Sequence, residues 1–179
     1  INEEWFELYN RNAAQSMDLT GWSVTGGINF DFPAGTSIGP HDYLVVANDS
    51  AALRTEFPQM ANKIIGDFSG SLSNKDDLII LRDARKNPAD EVHYFDGGRW
   101  PQFADGGGSS LELRDPASDN ARAEAWAASD ETGKSVWQTY TMRHTAHADT
   151  GPNSGFNEYI VSLLNDGEVL IDDIQVIED

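Results

Sequence analysis

The sequence contains no cysteine among its 179 residues. Disulfide bonds, thiolate metal sites and a cysteine nucleophile are therefore excluded. Basic residues are also scarce, because 12 lysines and arginines accompany 30 aspartates and glutamates, and the formal net charge is −18 at pH 7. A surface of this sign repels nucleic-acid phosphates and anionic lipids, so we expect no nucleic-acid partner. The acidity favours either simple solubility or the capture of a divalent cation.

Long apolar segments are missing as well. The chain has no run of 18 or more apolar residues, so the sequence predicts no membrane insertion. It begins at Ile1 without a signal peptide or lipidation motif, and we expect it to be a piece of a longer precursor with neighbouring domains. The chain does contain enough hydrophobic residues to form a core, since they make up 39% of it and include five Trp and eight Phe. That supply is sufficient for a packed globular fold.

Short alternating strands separated by turn residues dominate the first two-thirds of the chain. The predicted strands span residues 4–9, 19–24, 28–32, 43–47, 77–82, 91–95 and 110–114. Strands at roughly ten-residue spacing are typical of a sandwich or barrel. One short helix is predicted after Asn48-Asp49-Ser50, which can cap it, and Pro58 ends it. The sequence therefore predicts an all-β fold with a single short helix.

A change of composition near residue 128 predicts a boundary between a unit of residues 1–128 and a unit of residues 129–179. Three more strands are predicted beyond it, at 136–142, 158–164 and 168–176. The Asn165-Asp166-Gly167 turn favours a hairpin between the last two. These additional C-terminal β-strands are compatible with a partial second unit and with an extension that packs on the first one.

Seven short motifs, in order over residues 3–128, resemble those of the lamin tail domain. They are Glu4-Trp5-Phe6-Glu7-Leu8-Tyr9-Asn10, Asp18-Leu19-Thr20-Gly21-Trp22, Phe32-Pro33-Ala34-Gly35-Thr36, Tyr43-Leu44-Val45-Val46, Gly70-Ser71-Leu72-Ser73-Asn74 with Asp77-Leu78-Ile79-Ile80-Leu81, Asp90-Glu91-Val92-His93-Tyr94, and Gly108-Ser109-Ser110-Leu111-Glu112-Leu113. The resemblance implies an immunoglobulin-like β-sandwich of the bacterial exported type. It also implies a non-catalytic accessory, adhesion or structural module of a secreted or cell-surface protein, with a protein partner.

A second, shorter resemblance lies at the C-terminus, where residues 168–176 are similar to the closing strand of galactose-binding-like jelly rolls. It implies an alternative function, a carbohydrate-binding module with a polysaccharide partner and a structural calcium. Asp166, Glu168, Asp172 and Asp173 carry the hard oxygen donors that calcium prefers. Because Asp172 and Asp173 would point to opposite faces of a strand, solvated edge carboxylates are the competing interpretation.

The loop at residues 96–108 contains the aromatic candidates for ligand binding, Trp100 and Phe103. Trp100 in a Gly/Pro loop could expose its ring to a sugar or to a partner. The competing interpretation is that it plugs the open end of the sandwich, since buried Trp is common. Trp5, Trp22 and Trp126 lie within the family-like blocks, and we expect them in the core or at its edge.

Signatures of catalysis are missing from the sequence. It contains no H-E-x-x-H zinc motif, no G-x-S-x-G nucleophile turn and no phosphate-binding glycine loop. Glu4 and Glu7 are expected on opposite faces of one strand, and Glu112 is expected to face solvent. We therefore expect no enzyme, and a metal-dependent hydrolase is the second alternative function.

Overall fold

The computed structural model describes residues 4–104, 109–130, 139–141 and 171–175. Its regular elements are mostly strands, which confirms the all-β prediction. The strands are β1 Trp5–Tyr9, β2 Met17–Asp18, β3 Ser23–Gly26, β4 Ile28–Asp31, β5 Ser37–Ile38, β6 Tyr43–Ala47, β7 Ile64–Gly66, β8 Ser69–Gly70, β9 Asp76–Arg82, β10 Pro88–Phe95, β11 Leu111–Leu113 and β12 Trp126–Ala128. The helix α1 spans Ser50–Glu56, and 3-10 turns span Pro58–Lys63, Gln102–Ala104 and Ala123–Ala125.

Two sheets form the sandwich. One has three strands in the order β1-β6-β7, and the other has five in the order β10-β9-β3-β4-β8. Strands β6 and β7 are parallel, and α1 lies in the connection between them, as a parallel pair requires. Two small antiparallel pairs, β2 with β5 and β11 with β12, complete the described strands.

The larger apolar cluster of the described residues, the core, lies between the sheets. Val24, Ile28 and Val46 are at most 1% exposed, and burial of each such side chain stabilises the fold by roughly 1.5–3 kcal/mol. Strand β1 contributes Phe6 and Leu8 to this core, because the two side chains lie on the same face of the strand. The remaining buried members are Leu19, Phe30, Phe32, Ile38, Leu44 and Phe68.

Of the three tryptophans expected in or near the core, one lies elsewhere. Trp22 packs against the core cluster, and Trp126 is half-buried. Trp5 is 40% exposed, so the expectation for it is wrong. It shares the outward face of β1 with Glu7, because successive side chains of a strand alternate between the two faces.

Helix α1 forms where the capping residues predict it. The Asp49 carboxylate accepts a hydrogen bond from the Ala52 N–H at 2.9 Å, which satisfies one free donor of the first turn. Leu53 packs on Val45 and Ala47 and forms a second, smaller apolar cluster. The helix therefore covers the outer face of β6, whereas Trp5 on the outward face of the neighbouring strand β1 stays exposed.

The predicted strand over residues 19–24 is interrupted. Gly21 has a φ of 77°, and the Trp22 N–H donates to the Leu19 carbonyl at 3.0 Å in a tight turn. Regular pairing therefore starts only at Ser23, and a separate short strand, β2, precedes the turn. Strands β7 and β12, of three residues each, were not predicted.

Two of the predicted C-terminal strands are wrong in the part that the structure describes. Residues 139–141 and 171–175 have no regular secondary structure. Asp173 has a φ of 53°, a left-handed conformation that interrupts an extended strand. The predicted strand at 158–164 lies outside the described residues, and the boundary near residue 128 stays a prediction.

Within the described parts of the chain, the helices are too short or too polar to cross a membrane.

Candidate functional site, an aromatic cleft at the end of β10

A series of four rings runs from the surface of β10 into the loop that follows it. The centroids of His93 and Phe95, two residues apart on one face of the strand, are 4.3 Å apart. Phe95 and Trp100 follow at 6.4 Å, and Trp100 and Trp126 at 6.2 Å. The two longer separations fall within the usual range of favourable ring contacts, and the first pair is slightly closer. We call His93, Phe95, Trp100 and Trp126 the aromatic series.

A tight turn after β10 brings Trp100 back beneath Phe95. Gly98 has a φ of 72°, which a residue with a side chain adopts only with strain. The Trp100 N–H donates to the Gly97 carbonyl at 3.4 Å and closes the turn. As a result, Trp100 is 9% exposed, while Phe95 at the surface is 43% exposed.

The opposite wall of the cleft comes from the segment before β12. Residues 121–124 face residues 95–100 across a shallow, open depression. The Asn120 side-chain amide donates to both carboxylate oxygens of Asp90 at 3.0 Å, and the Trp126 indole N–H donates to the Asn120 carbonyl at 2.9 Å. These bonds hold the second wall against β10.

Two ion pairs involve residues of the cleft walls. Arg99 Nη1 lies 2.6 Å from Glu124 Oε1, so this pair joins the two walls. The hydrogen bond from Arg99 holds the pKa of Glu124 below its usual range, and the hydrogen bond from Arg122 does the same for Asp119. Both carboxylates are therefore charged at neutral pH, which suits polar contacts to a ligand. A general acid would need the opposite shift.

The two aromatic candidates from the sequence occupy different positions. Trp100 is buried, as expected if it plugs the end of the sandwich, and little of its ring is available to a ligand. Phe103 is 58% exposed in the 3-10 turn near β12. A ligand-binding role for Trp100 and Phe103 stays a prediction.

Two of the four predicted calcium ligands lie within the described residues. Asp172 and Asp173 are exposed, and the Asp173 N–H donates to Asp172 Oδ1 at 2.8 Å. Asp166 and Glu168 lie outside the described residues. No cluster of three or more His, Asp or Glu side chains suited to a metal occurs in the described part of the chain. Calcium binding stays a prediction.

Two sheets that pack around a shared apolar core form an immunoglobulin-like β-sandwich domain. The shallow cleft lies at the end of β10. The family model of the lamin tail domain matches residues 1–96, more than half of the 179-residue chain. The chain therefore belongs to the lamin tail domain family, whose immunoglobulin-like domains are not known to be catalytic. No curated protein matches the chain.

The match ends one residue after β10, so it covers six of the seven motifs and leaves out the motif at 108–113. The second wall of the cleft also lies beyond it. Sequence reasoning identified Trp100 but missed Arg99, Glu124 and Trp126 as parts of one site. Arg99 is adjacent to Trp100 in the chain, whereas nothing in the pattern indicates that Glu124 approaches it.

Proposed function

We propose that this protein is a non-catalytic adhesion or positioning module of a secreted or cell-surface bacterial protein. It holds a protein partner, or neighbouring domains of its own chain, through exposed strand faces and loops. Membership of the lamin tail domain family supports the non-catalytic part of this proposal.

The observation that carries the proposal is the form of the cleft. Phe95 is 43% exposed in an open depression, and the Arg99–Glu124 pair borders it. Exposed aromatic residues and arginines are enriched at the centres of protein interfaces. A shallow surface of this kind suits contact with another large molecule better than enclosure of a small substrate.

An adhesion assay tests this function. Beads coated with the full chain are applied to surfaces of purified extracellular proteins and of bacterial envelope proteins. We expect retention on at least one surface, with Phe95→Ala reducing it about fivefold or more, the effect of a typical interface anchor. Asn62→Ala, at an exposed position in the 3-10 turn Pro58–Lys63, is the matched control.

Retention that is equal for Phe95→Ala and for the parent chain would contradict the cleft as the contact site.

Fractionation of the producing cells tests the location, because a secreted or surface protein belongs in the medium or envelope fraction. Hydrolysis of phosphate or peptide substrates above background with added Zn²⁺ or Mn²⁺ would contradict the non-catalytic part.

The second candidate function is carbohydrate binding at the same cleft. The exposed Phe95 ring lies beside charged Arg99 and Glu124, a combination of stacking face and hydrogen-bonding groups that suits a sugar. A glycan array probed with calcium and then with EDTA tests it. Binding of one sugar class that Phe95→Ala abolishes would support this function, and calcium dependence would implicate the acidic C-terminal residues.

A further inference from the structure

A second exposed aromatic surface lies on β1, away from the core. Trp5 and Tyr43 are 40% and 41% exposed. Tyr9 pairs with Tyr43 in the sheet register, with ring centroids 4.5 Å apart, and the Tyr9 hydroxyl lies 2.8 Å from His41 Nδ1. Glu7 lies between Trp5 and Tyr9 on the same side of the strand. We call Trp5, Glu7, Tyr9, His41 and Tyr43 the β1 face.

Within the described residues, one edge of the backbone beside this face is not paired with another strand. The Asn48 N–H donates to the Glu4 carbonyl at 2.8 Å, and the Asn10 N–H donates to the Asp42 carbonyl at 3.0 Å. The even-numbered residues of β1 therefore bond to β6, and the N–H and C=O groups of Trp5, Glu7 and Tyr9 point the other way. Within the described residues, no strand pairs with β1 on that side.

The Glu7 carboxyl lies beside this edge and is influenced by the charge of a second carboxylate. The pKa of Glu7 is raised, first because its carboxyl is partly removed from water and second because the Glu112 carboxylate repels it. Glu112 belongs to β11, so two carboxylates from different parts of the chain approach each other here. A cation between them would relieve the repulsion, and the flanking rings of Trp5 and Tyr9 also attract cations.

We propose that the β1 face binds an extended segment of a partner protein that carries lysine or arginine side chains. The segment adds as a strand to this edge of β1, with main-chain hydrogen bonds to Trp5, Glu7 and Tyr9. A basic side chain of the segment lies between Glu7 and Glu112. This inference rests on the proposed function and names the partner chemistry of one surface.

Charge complementarity selects this occupant over a second copy of the chain. The protein carries a formal net charge of −18, which attracts a basic segment and disfavours self-association. Two β1 edges in contact would also bring Glu7 of each copy to the same interface, where like charges are destabilising.

Fluorescence polarisation with the full chain tests the proposal. The probe is a labelled ten-residue peptide of alternating lysine and valine, with a glutamate-for-lysine version as its charge control. A third version carries N-methyl groups at every second residue, which blocks edge hydrogen bonding. We expect binding of the first peptide only, and weaker binding in 0.5 M salt.

Matched variants of the chain locate the site. We expect Glu7→Gln to weaken binding roughly two- to fivefold, as for a surface ion pair, and Trp5→Ala to weaken it about fivefold or more. Glu91→Gln removes an exposed carboxylate from the edge strand of the other sheet, and Phe57→Ala removes a ring that is 39% exposed. Both controls are expected to bind like the parent chain, and thermal unfolding confirms that every variant is folded.

Three results would overturn the inference: no binding at millimolar peptide, equal weakening by Glu91→Gln and Glu7→Gln, or unchanged binding of the N-methylated peptide. The second result would indicate attraction by bulk charge alone. If any of these occurs while Phe95→Ala still reduces retention in the adhesion assay about fivefold or more, the proposed function stands and only the β1 face is wrong.

Discussion

Replacement of Asn10 tests the hydrogen bonds that fasten the end of β1 to the rest of the sandwich. Asn10 is 5% exposed. Its amide nitrogen donates to the carbonyls of Gln15, Ile38 and Gly39 at 2.8, 3.0 and 2.9 Å, and its amide oxygen accepts from the Asn12 N–H at 3.0 Å. One side chain therefore joins three stretches of backbone.

The expected magnitude follows from these contacts. Asn10→Ala leaves the buried Ile38 carbonyl without this donor, at a cost of about 1–3 kcal/mol. The carbonyls of Gln15 and Gly39 are only partly buried, so water replaces much of what they lose. We expect a loss of about 2–4 kcal/mol in the free energy of unfolding, which lowers the Tm by roughly 5–15 °C for a chain of this length.

Urea unfolding followed by tryptophan fluorescence measures the loss. Asn10→Asp is the sharper variant, because it keeps the shape but turns a carboxylate oxygen toward the three carbonyls, and its loss is expected to exceed that of Asn10→Ala. Asn62→Ala, at an exposed position, is expected to stay within about 0.5 kcal/mol of the parent chain. A similarly small change for Asn10→Ala, or greater stability of Asn10→Asp than of Asn10→Ala, would refute the reasoning.

Three further predictions concern the core, a turn and a carboxylate. Ile28→Ala removes a side chain that is 0% exposed and is expected to lower the free energy of unfolding by about 2–5 kcal/mol in the same urea assay. Gly26→Ala is expected to lower the free energy of unfolding by more than about 1 kcal/mol, because φ is 124° and the new Cβ would lie 1.7 Å from the Leu78 carbonyl oxygen. Calorimetry measures the fall in Tm, and an unchanged Tm would contradict the turn geometry. For Glu7, the folded pKa is raised above the usual 4.5, so its contribution to stability is fully present below that pH and is lost as the pH rises through the folded pKa. Glu7→Gln is therefore expected to gain stability relative to the parent chain as the pH rises above about 4.5, and urea midpoints that shift equally at pH 4 and pH 7 would contradict the raised pKa of Glu7.

Several features of the fold were predicted from local sequence and are confirmed. The alternation in β1 places Phe6 and Leu8 together on one face, and the Asp49 cap starts α1. The lamin-tail motifs predicted the family, which the family model confirms over residues 1–96. These features depend on neighbours in the chain, so a short window of sequence is enough to indicate them.

The predicted strand at 168–176 is wrong in its described part, because strand formation also depends on residues far away in the chain. The segment is rich in β-branched apolar residues, which favour strands, yet Ile171 and Ile174 are 48% and 57% exposed, and no other strand pairs with them in the described residues. A strand needs a partner for its backbone and a surface for its side chains, and a local pattern supplies neither.

The sequence by itself determined the spacing of most strands, the helix, the family and the strongly negative charge. The tertiary structure alone decided which outward side chains stay uncovered and which distant residues meet. Helix α1 covers β6 but leaves Trp5 exposed beside it, and Arg99 meets Glu124 across the cleft. Exposure and contact between distant residues depend on how whole elements pack, so they are properties of the folded chain rather than of any one segment of it.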